Sequence, residues 1–268
     1  MNLMMLEFNN IHHSFPDSKW ELQVPALTLS PRELLGIIGP NGSGKSTLLR
    51  IGAGVLSPVR GTVIMRGHNL SKLNRRTVAK YLGYLPQETL SLYDFTVEEI
   101  VRLGRYPHTR GLRTLDASDY AAIKESLHFT EMYAFRHRSL SRLSGGEKKR
   151  AFLASVLAQK PDILVLDEPT SALDIHHQVQ FFRLLQGLAR DGMAIVIATH
   201  EINLASLFCD RLLILSKGEP VASGPPDQVL TPSTIQFVYG ESVLMGHHPE
   251  TDRPVLFPRV SMEEKSEG

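Results

Sequence analysis

The sequence predicts an α/β protein, and three observations predict it. Short apolar runs of strand length alternate with helical periods over much of the chain. One run, residues 34–38, leads into a glycine-rich loop and then a helix-like segment. From about residue 96 the period turns helical and stays so to residue 158, which reads as an insertion of modest size.

Taken in order, residues 3–8, 20–24 and 34–38 are apolar, β-prone runs bounded by turn residues and are expected as strands. Residues 46–51 open a helix after the glycine-rich loop, and residues 62–65 and 81–85 are further strands. Thr96-x-x-Glu99 is a capping box that opens a helix over 97–103. Further helical stretches follow near 117–127 and from 146 to 158. The alternation then returns, with a buried strand at 163–166, a helix at 175–189, and strands at 194–198 and 212–215. Val179, Phe182 and Leu185 share one face of the 175–189 helix and are expected in the core. After about residue 249 the chain is polar and proline-bearing and ends in a charged tail, expected to be disordered.

At 268 residues and 42% hydrophobic, the chain suffices for one large domain or two closely joined subdomains. Its 29 basic and 28 acidic residues leave a formal charge of +1, so no bulk attraction to nucleic acid is expected. The lone cysteine, Cys209, excludes an internal disulfide or a thiolate metal cluster and reads as a small core residue. No apolar run approaches membrane-span length, and the N-terminus shows no basic region followed by an apolar stretch. A cytosolic location is expected, with any membrane work done through a partner.

Gly39, Pro40, Asn41, Gly42, Ser43, Gly44, Lys45 and Ser46 fit G-x-x-x-x-G-K-[ST] in full, and Thr47 continues the same segment. Glycines let the backbone wrap around phosphates, and the following helix points its positive end at the same anion. Lys45 is expected on the β- and γ-phosphates and Ser46 on Mg²⁺. This motif alone does not separate kinase, GTPase, helicase or transporter ATPase. Residues 163–166 form an apolar strand ending in Asp167 and Glu168. In parallel sheets such strand ends gather beside the phosphate loop. Asp167 is expected to assist Mg²⁺ through water, and Glu168 to act as general base on the attacking water.

Leu143-Ser144-Gly145-Gly146-Glu147 lies between these two motifs. Ser144-x-x-Glu147 is a capping box, and Gly145 and Gly146 expose amides at a helix N-terminus, which makes an anion site. The chain has no second triphosphate loop to supply that anion, so a second subunit is expected to supply it.

With these three motifs the chain resembles the ATP-binding cassette (ABC) ATPases over roughly residues 5–235. The common signature ends in Gln; Glu147 departs from it, and importer ATPases often carry Glu there. The resemblance implies a P-loop NTPase (RecA-like) core with an N-terminal antiparallel β subdomain and an inserted α-helical subdomain at about 88–160. It implies a nucleotide-binding domain over 1–240 and a C-terminal extension over 241–268. It further identifies Gln87 as a glutamine that senses Mg²⁺ and the attacking water, and Ser171 to Asp174 as a loop crossing a dimer interface. His200 is implied as a contact of the γ-phosphate. Phe15 is the choice for the aromatic that stacks on adenine, with Trp20 as rival.

Within the family, Gly104-Arg-Tyr-Pro-His108, Leu173-Asp-Ile-His-His-Gln178, Gly224-Pro-Pro-Asp-Gln-Val-Leu and Val238-Tyr-Gly240 resemble importer ATPases for iron–siderophore, haem and cobalamin. That implies ATP and Mg²⁺ as cofactors, a homodimer on the cytoplasmic face of the inner membrane, a multi-span permease, and a substrate-binding protein. An exporter subunit, or a soluble ABC ATPase, is the alternative. The neighbouring pairs His12/His13, His176/His177 and His247/His248 are not expected to bind metal, because adjacent side chains on one element point apart. Lys148-Lys149-Arg150 is expected as a solvated turn of the signature helix.

Overall fold

The computed structural model describes residues 4–16, 18–87, 94–109, 114–171 and 173–260. The expected disordered tail at 261–268 and the start of the expected insertion at 88–93 lie outside them.

Two sheets carry the fold. The first is antiparallel, in the order β2-β1-β4-β5, from β1 (Leu6–Ser14), β2 (Glu21–Leu29), β4 (Arg60–Met65) and β5 (His68–Asn69). The second runs β10-β9-β3-β8-β7-β6. It comprises β3 (Leu34–Ile38), β6 (Leu82–Leu85), β7 (Ile163–Asp167), β8 (Ala194–Ala198), β9 (Arg211–Ser216) and β10 (Glu219–Gly224). All its neighbours are parallel except the β9–β10 pair. Strands β3, β7 and β8 are buried throughout, which is why they read as continuous apolar runs and not as alternating ones.

Helices cover both faces of this sheet. On one face α1 (Lys45–Gly52) and the antiparallel sheet enclose a core that includes Phe8, Leu48, Ile51 and Val165. On the other, α6 (Ile175–Arg190) and α7 (Ile202–Phe208) bury Phe181, Phe182, Leu185 and Leu204. Phe181, not Val179, joins Phe182 and Leu185 in full burial, a small rotation from the expected face. Cys209 is fully buried beside this core, and burial pushes its thiol pKa up. The short α2 (Arg75–Tyr81), capped by Asn74, precedes β6.

The helical insertion consists of α3 (Val97–Leu103), α4 (Ala117–Phe129) and α5 (Gly145–Ala158). The capping box at Thr96 and Glu99 forms as expected, with both reciprocal bonds present. Helix α5 belongs to two cores. Its alanines 151, 154 and 158 pack with α3 and α4, while Leu153, Val156 and Leu157 pack against the parallel sheet. Alanine's small side chain lets the helices approach closely, and the large residues fill the opposite side.

The 104–108 segment ties these parts together. A Cβ on Gly104 would lie 2.0 Å from the Ser155 carbonyl oxygen, so only glycine fits the approach to α5. Arg105 donates to Asp119 Oδ1 at 2.8 Å and to the Ala158 carbonyl at 2.6 Å, which satisfies the C-terminus of α5. His108 Nε2 lies 2.8 Å from the Gln159 carbonyl, and Arg76 of α2 donates to the Pro107 carbonyl at 2.9 Å. Both members of the Arg105–Asp119 pair are under a tenth exposed. Asp119→Ala strands a buried guanidinium and is expected to cost about 3–5 kcal/mol. Urea unfolding measures it; a loss under about 1 kcal/mol would mean that the pair behaves as a surface bridge.

The C-terminal part departs from the sequence reading. After α8 (Pro226–Val229) and α9 (Pro232–Tyr239), β11 (Val243–His247) and β12 (Pro254–Pro258) form an antiparallel hairpin. The polar, proline-bearing stretch is thus a strand held on α7. Asn203 exchanges two bonds with the Leu256 backbone, and Arg253 donates to the Ser206 and Cys209 carbonyls at the helix end. Proline suits this position because, among the described residues, β12 pairs on one side only.

Candidate nucleotide site

The phosphate loop joins β3 to α1, between the ends of neighbouring strands β8 and β9. Gly44, the N-cap of α1, has φ 105°, and a Cβ there would meet the Trp20 ring at 2.9 Å. Glycine is therefore required both by backbone region and by space. Lys45 is buried and donates to the Gly39 and Pro40 carbonyls at 2.9 and 3.1 Å, so its ammonium lies within the loop's own curve. Burial lowers the Lys45 pKa, opposed by the nearby Glu168 and Asp167 carboxylates.

Strand β7 brings the two carboxylates to the same end of the sheet. Ser46 donates from Oγ to Asp167 Oδ1 at 2.8 Å. Asp167 Oδ2 is buried without a hydrogen-bond partner among the described residues. Burial raises the Asp167 pKa, with the Ser46 bond acting against it. Glu168 leaves the strand at φ 49°, a left-handed region that is strained for a side chain with a Cβ. Its carboxylate is clasped from two sides. Gln87 Nε2 donates to Oε2 at 2.7 Å, and His200 Nε2, just past β8, lies 2.5 Å from Oε1. Gln87, Glu168 and His200 come from three different strand ends, as expected for a parallel sheet.

Phe15, Trp20, Asn41, Gly42, Gly44, Lys45, Ser46, Thr47, Gln87, Glu168 and His200 line one cavity of about 700 Å³. The two aromatic rivals separate here. Trp20 is half-buried against the β-sheet core beneath Gly44, with its indole N–H buried. Phe15 is 42% exposed at the cavity mouth, stacked over Trp20 at 6.0 Å and braced edge-on by His13 at 4.9 Å.

The signature lies elsewhere. Ser144 caps α5 with both capping-box bonds formed: Glu147 N–H to Ser144 Oγ at 3.3 Å, and Ser144 N–H to Glu147 Oε2 at 2.7 Å. The bond from the Ser144 amide lowers the Glu147 pKa. The Gly145 and Gly146 amides head the helix with no intrahelical carbonyl to bond. Ser144, Gly145, Gly146, Glu147, Leu173 and Asp174 share a second cavity of about 430 Å³, and among the described residues none lines both cavities. Asp174 is the N-cap of α6, accepting from the His177 amide and lying 2.8 Å from its Nδ1. Those bonds lower the Asp174 pKa. His177 is thereby engaged by a carboxylate, and His176 lies 3.0 Å from Gln180.

The basic triplet after the signature is partly exposed, as expected, but the sequence reading did not foresee that Lys149 is also engaged by backbone. Its ammonium donates to the Gln87 carbonyl at 2.7 Å and reaches the Glu168 carbonyl at 3.4 Å. Arg150 pairs with Glu131 at 3.0 Å. The side of α5 that carries Lys149 faces the ends of β6 and β7, a tertiary fact that helix periodicity does not contain.

A glycine-rich loop between a parallel strand and a helix, closed by Lys45, Ser46 and Asp167, defines a P-loop nucleotide-binding protein. A family model described as ABC transporter matches residues 22–171, and the chain belongs to the ABC transporter family. It is 40% identical over 260 residues to a hemin import ATP-binding protein of Pseudomonas fluorescens, covering 95% of this chain and 100% of that one. It is 36% identical to a petrobactin import ATP-binding protein of Bacillus anthracis, covering 89% and 88%. A cobalamin import ATP-binding protein of Halobacterium salinarum is 37% identical over 84% of this chain. This chain spans little more than half, 56%, of that relative's length. Among solved structures, a chain of an inward-facing ABC transporter superposes with a TM-score of 0.83 at 24% identity, covering 96% and 98%. A dimeric bacterial ABC transporter cassette gives 0.72 at 28%, covering 82% and 98%.

Proposed function

We propose that the chain is the ATPase subunit of an ABC importer that takes up an iron–siderophore, haem, cobalamin or related metal chelate. The observation that carries the mechanism is the pair of separate half-sites in one chain: a phosphate cradle in one cavity, a capped helix N-terminus in another. Two copies paired head to tail would place each ATP between Lys45 of one and Ser144 of the other. The existence of a solved dimeric cassette with 28% identity supports this pairing. The import direction is supported by the names of the hemin and petrobactin relatives.

In this reading the phosphate-loop amides and Lys45 bind the triphosphate, Lys45 exchanging the Gly39 and Pro40 carbonyls for phosphate oxygens. Phe15 stacks on adenine. Ser46, Asp167 and Gln87 would hold Mg²⁺, and the unpartnered buried Asp167 Oδ2 fits a cation ligand. When bound, Mg²⁺ supplies neutralisation of phosphate charge. Glu168 takes a proton from the water that attacks the γ-phosphorus, and ADP leaves with the bonding pair. His200 contacts the γ-phosphate and, with Gln87, orients the Glu168 carboxylate. Gly145 and Gly146 amides and Ser144 of the second subunit close over the same phosphate, with Asp174 at the dimer interface.

Residues 1–240 form the nucleotide-binding domain and 241–268 the C-terminal extension. No helix among the described residues is long and apolar enough to cross a membrane. In this reading the subunit works peripherally, on the cytoplasmic face of the inner membrane. It works with a multi-span permease and a substrate-binding protein. Affinity purification of the tagged chain from native membranes tests this. A multi-span protein should co-purify, and in proteoliposomes ATP turnover should rise when loaded binding protein is added opposite the ATP. Recovery without a multi-span partner would exclude transport; stimulation by substrate on the ATP side alone would make it an exporter.

A further inference from the structure

We infer that Lys149 is a positioning residue: from the signature helix it holds the Gln87–Glu168 pair of its own chain in register. The inference rests on the two-chain site proposed above. It also ties each chain's water-activating carboxylate to the helix with which that chain reads its partner's nucleotide.

The geometry is a closed ring. Lys149 donates to the Gln87 carbonyl at 2.7 Å and approaches the Glu168 carbonyl at 3.4 Å. The Gln87 side chain closes the ring on the Glu168 carboxylate at 2.7 Å. The Glu168 carbonyl also accepts from Ser171 Oγ at 2.9 Å and from the Ser171 amide at 3.3 Å. These donors surround a residue whose φ of 49° is strained, and such a conformation persists only when its surroundings over-determine it. An ammonium has donors enough for two carbonyls at once and delivers charge-assisted bonds to both. Lys149 sits five residues after Ser144 on one continuous helix. A shift of that helix when Ser144 meets a partner phosphate is thus carried by Lys149 to two backbones beside the attacking water.

Lys149→Met keeps most of the unbranched side chain and removes its ammonium donors. It should lower kcat about tenfold with KM for ATP changed less than about twofold, because a small misplacement of a catalytic group costs rate and not binding. Lys149→Arg should restore most of kcat. The deciding experiment uses mixed dimers purified by two tags. One chain carries Lys45→Ala, so the single intact site uses Glu168 of the other chain. Lys149→Met on the chain that supplies Glu168 should cost about tenfold, and on the chain that supplies only Ser144 less than about twofold. Equal losses in both placements would mean that the substitution merely damages the signature helix, and would overturn the inference, as would wild-type kcat in the first placement. If adding Ser144→Arg to the Lys45→Ala chain leaves the mixed dimer active, the two-chain site fails instead.

Discussion

Glu168→Gln is expected to reduce ATP turnover by at least about a hundredfold, the usual contribution of a general base. ATP affinity should stay near wild type. The substitution is nearly isosteric and keeps an oxygen able to accept from Gln87 or His200, so the clasp on the side chain survives in part. The backbone strain at φ 49° is unchanged, since it does not depend on the carboxylate. On the proposed mechanism, what disappears is the acceptor for the water's proton. Binding energy is then still available for closing two subunits, but the step that reopens them is blocked. Size-exclusion chromatography should show an ATP-dependent dimer for Glu168→Gln that wild type forms only transiently. Turnover within a fewfold of wild type would remove Glu168 from its role and point to His200, the other titratable group in contact with it.

Local motifs were legible in the sequence because they are short and their geometry is set within a few residues. The capping boxes at Thr96 and Ser144 form as read, since each needs only four consecutive residues. The strands at 34–38 and 194–198 matched to the residue because both faces are buried and their apolar runs are unbroken. Elements that depend on tertiary company were missed. β10 carries Pro220 and few apolar residues, and is a strand only because β9 offers an edge. The β11–β12 hairpin is stabilised by Asn203 and Arg253 contacts across some fifty residues of chain, which no local pattern records. The same holds at the site. Lys45, Ser46, Asp167 and Glu168 announce themselves by motif, whereas Lys149 reads as one charge in a basic run. The Gly104-Arg-Tyr-Pro-His108 segment was read as a family mark. Its glycine, arginine and histidine are engaged in closing the end of α5, and Tyr106 is left exposed.

Mixing a Lys45→Ala chain with a Ser144→Arg chain should recover activity that neither has alone. Lys45→Ala removes the buried ammonium held within the glycine-rich loop, which the proposed mechanism places on the phosphates. Ser144→Arg removes the cap, worth about 1 kcal/mol, and thrusts a bulky side chain into the amides that would receive the phosphate. Each homodimer therefore has two damaged sites if the site is shared. The heterodimer concentrates both lesions in one site and leaves the other with Lys45 and Ser144 intact. Random 1:1 exchange makes half the dimers mixed, each with one working site, so recovery should approach about a quarter of wild-type turnover if the sites fire independently in a two-fold dimer. A site completed within one chain predicts no recovery, because the first chain lacks Lys45 and the second lacks Ser144. Circular dichroism melts of each variant separate that outcome from misfolding. Recovery above either homodimer but well below a quarter, with both chains folded, would show that the two sites do not fire independently.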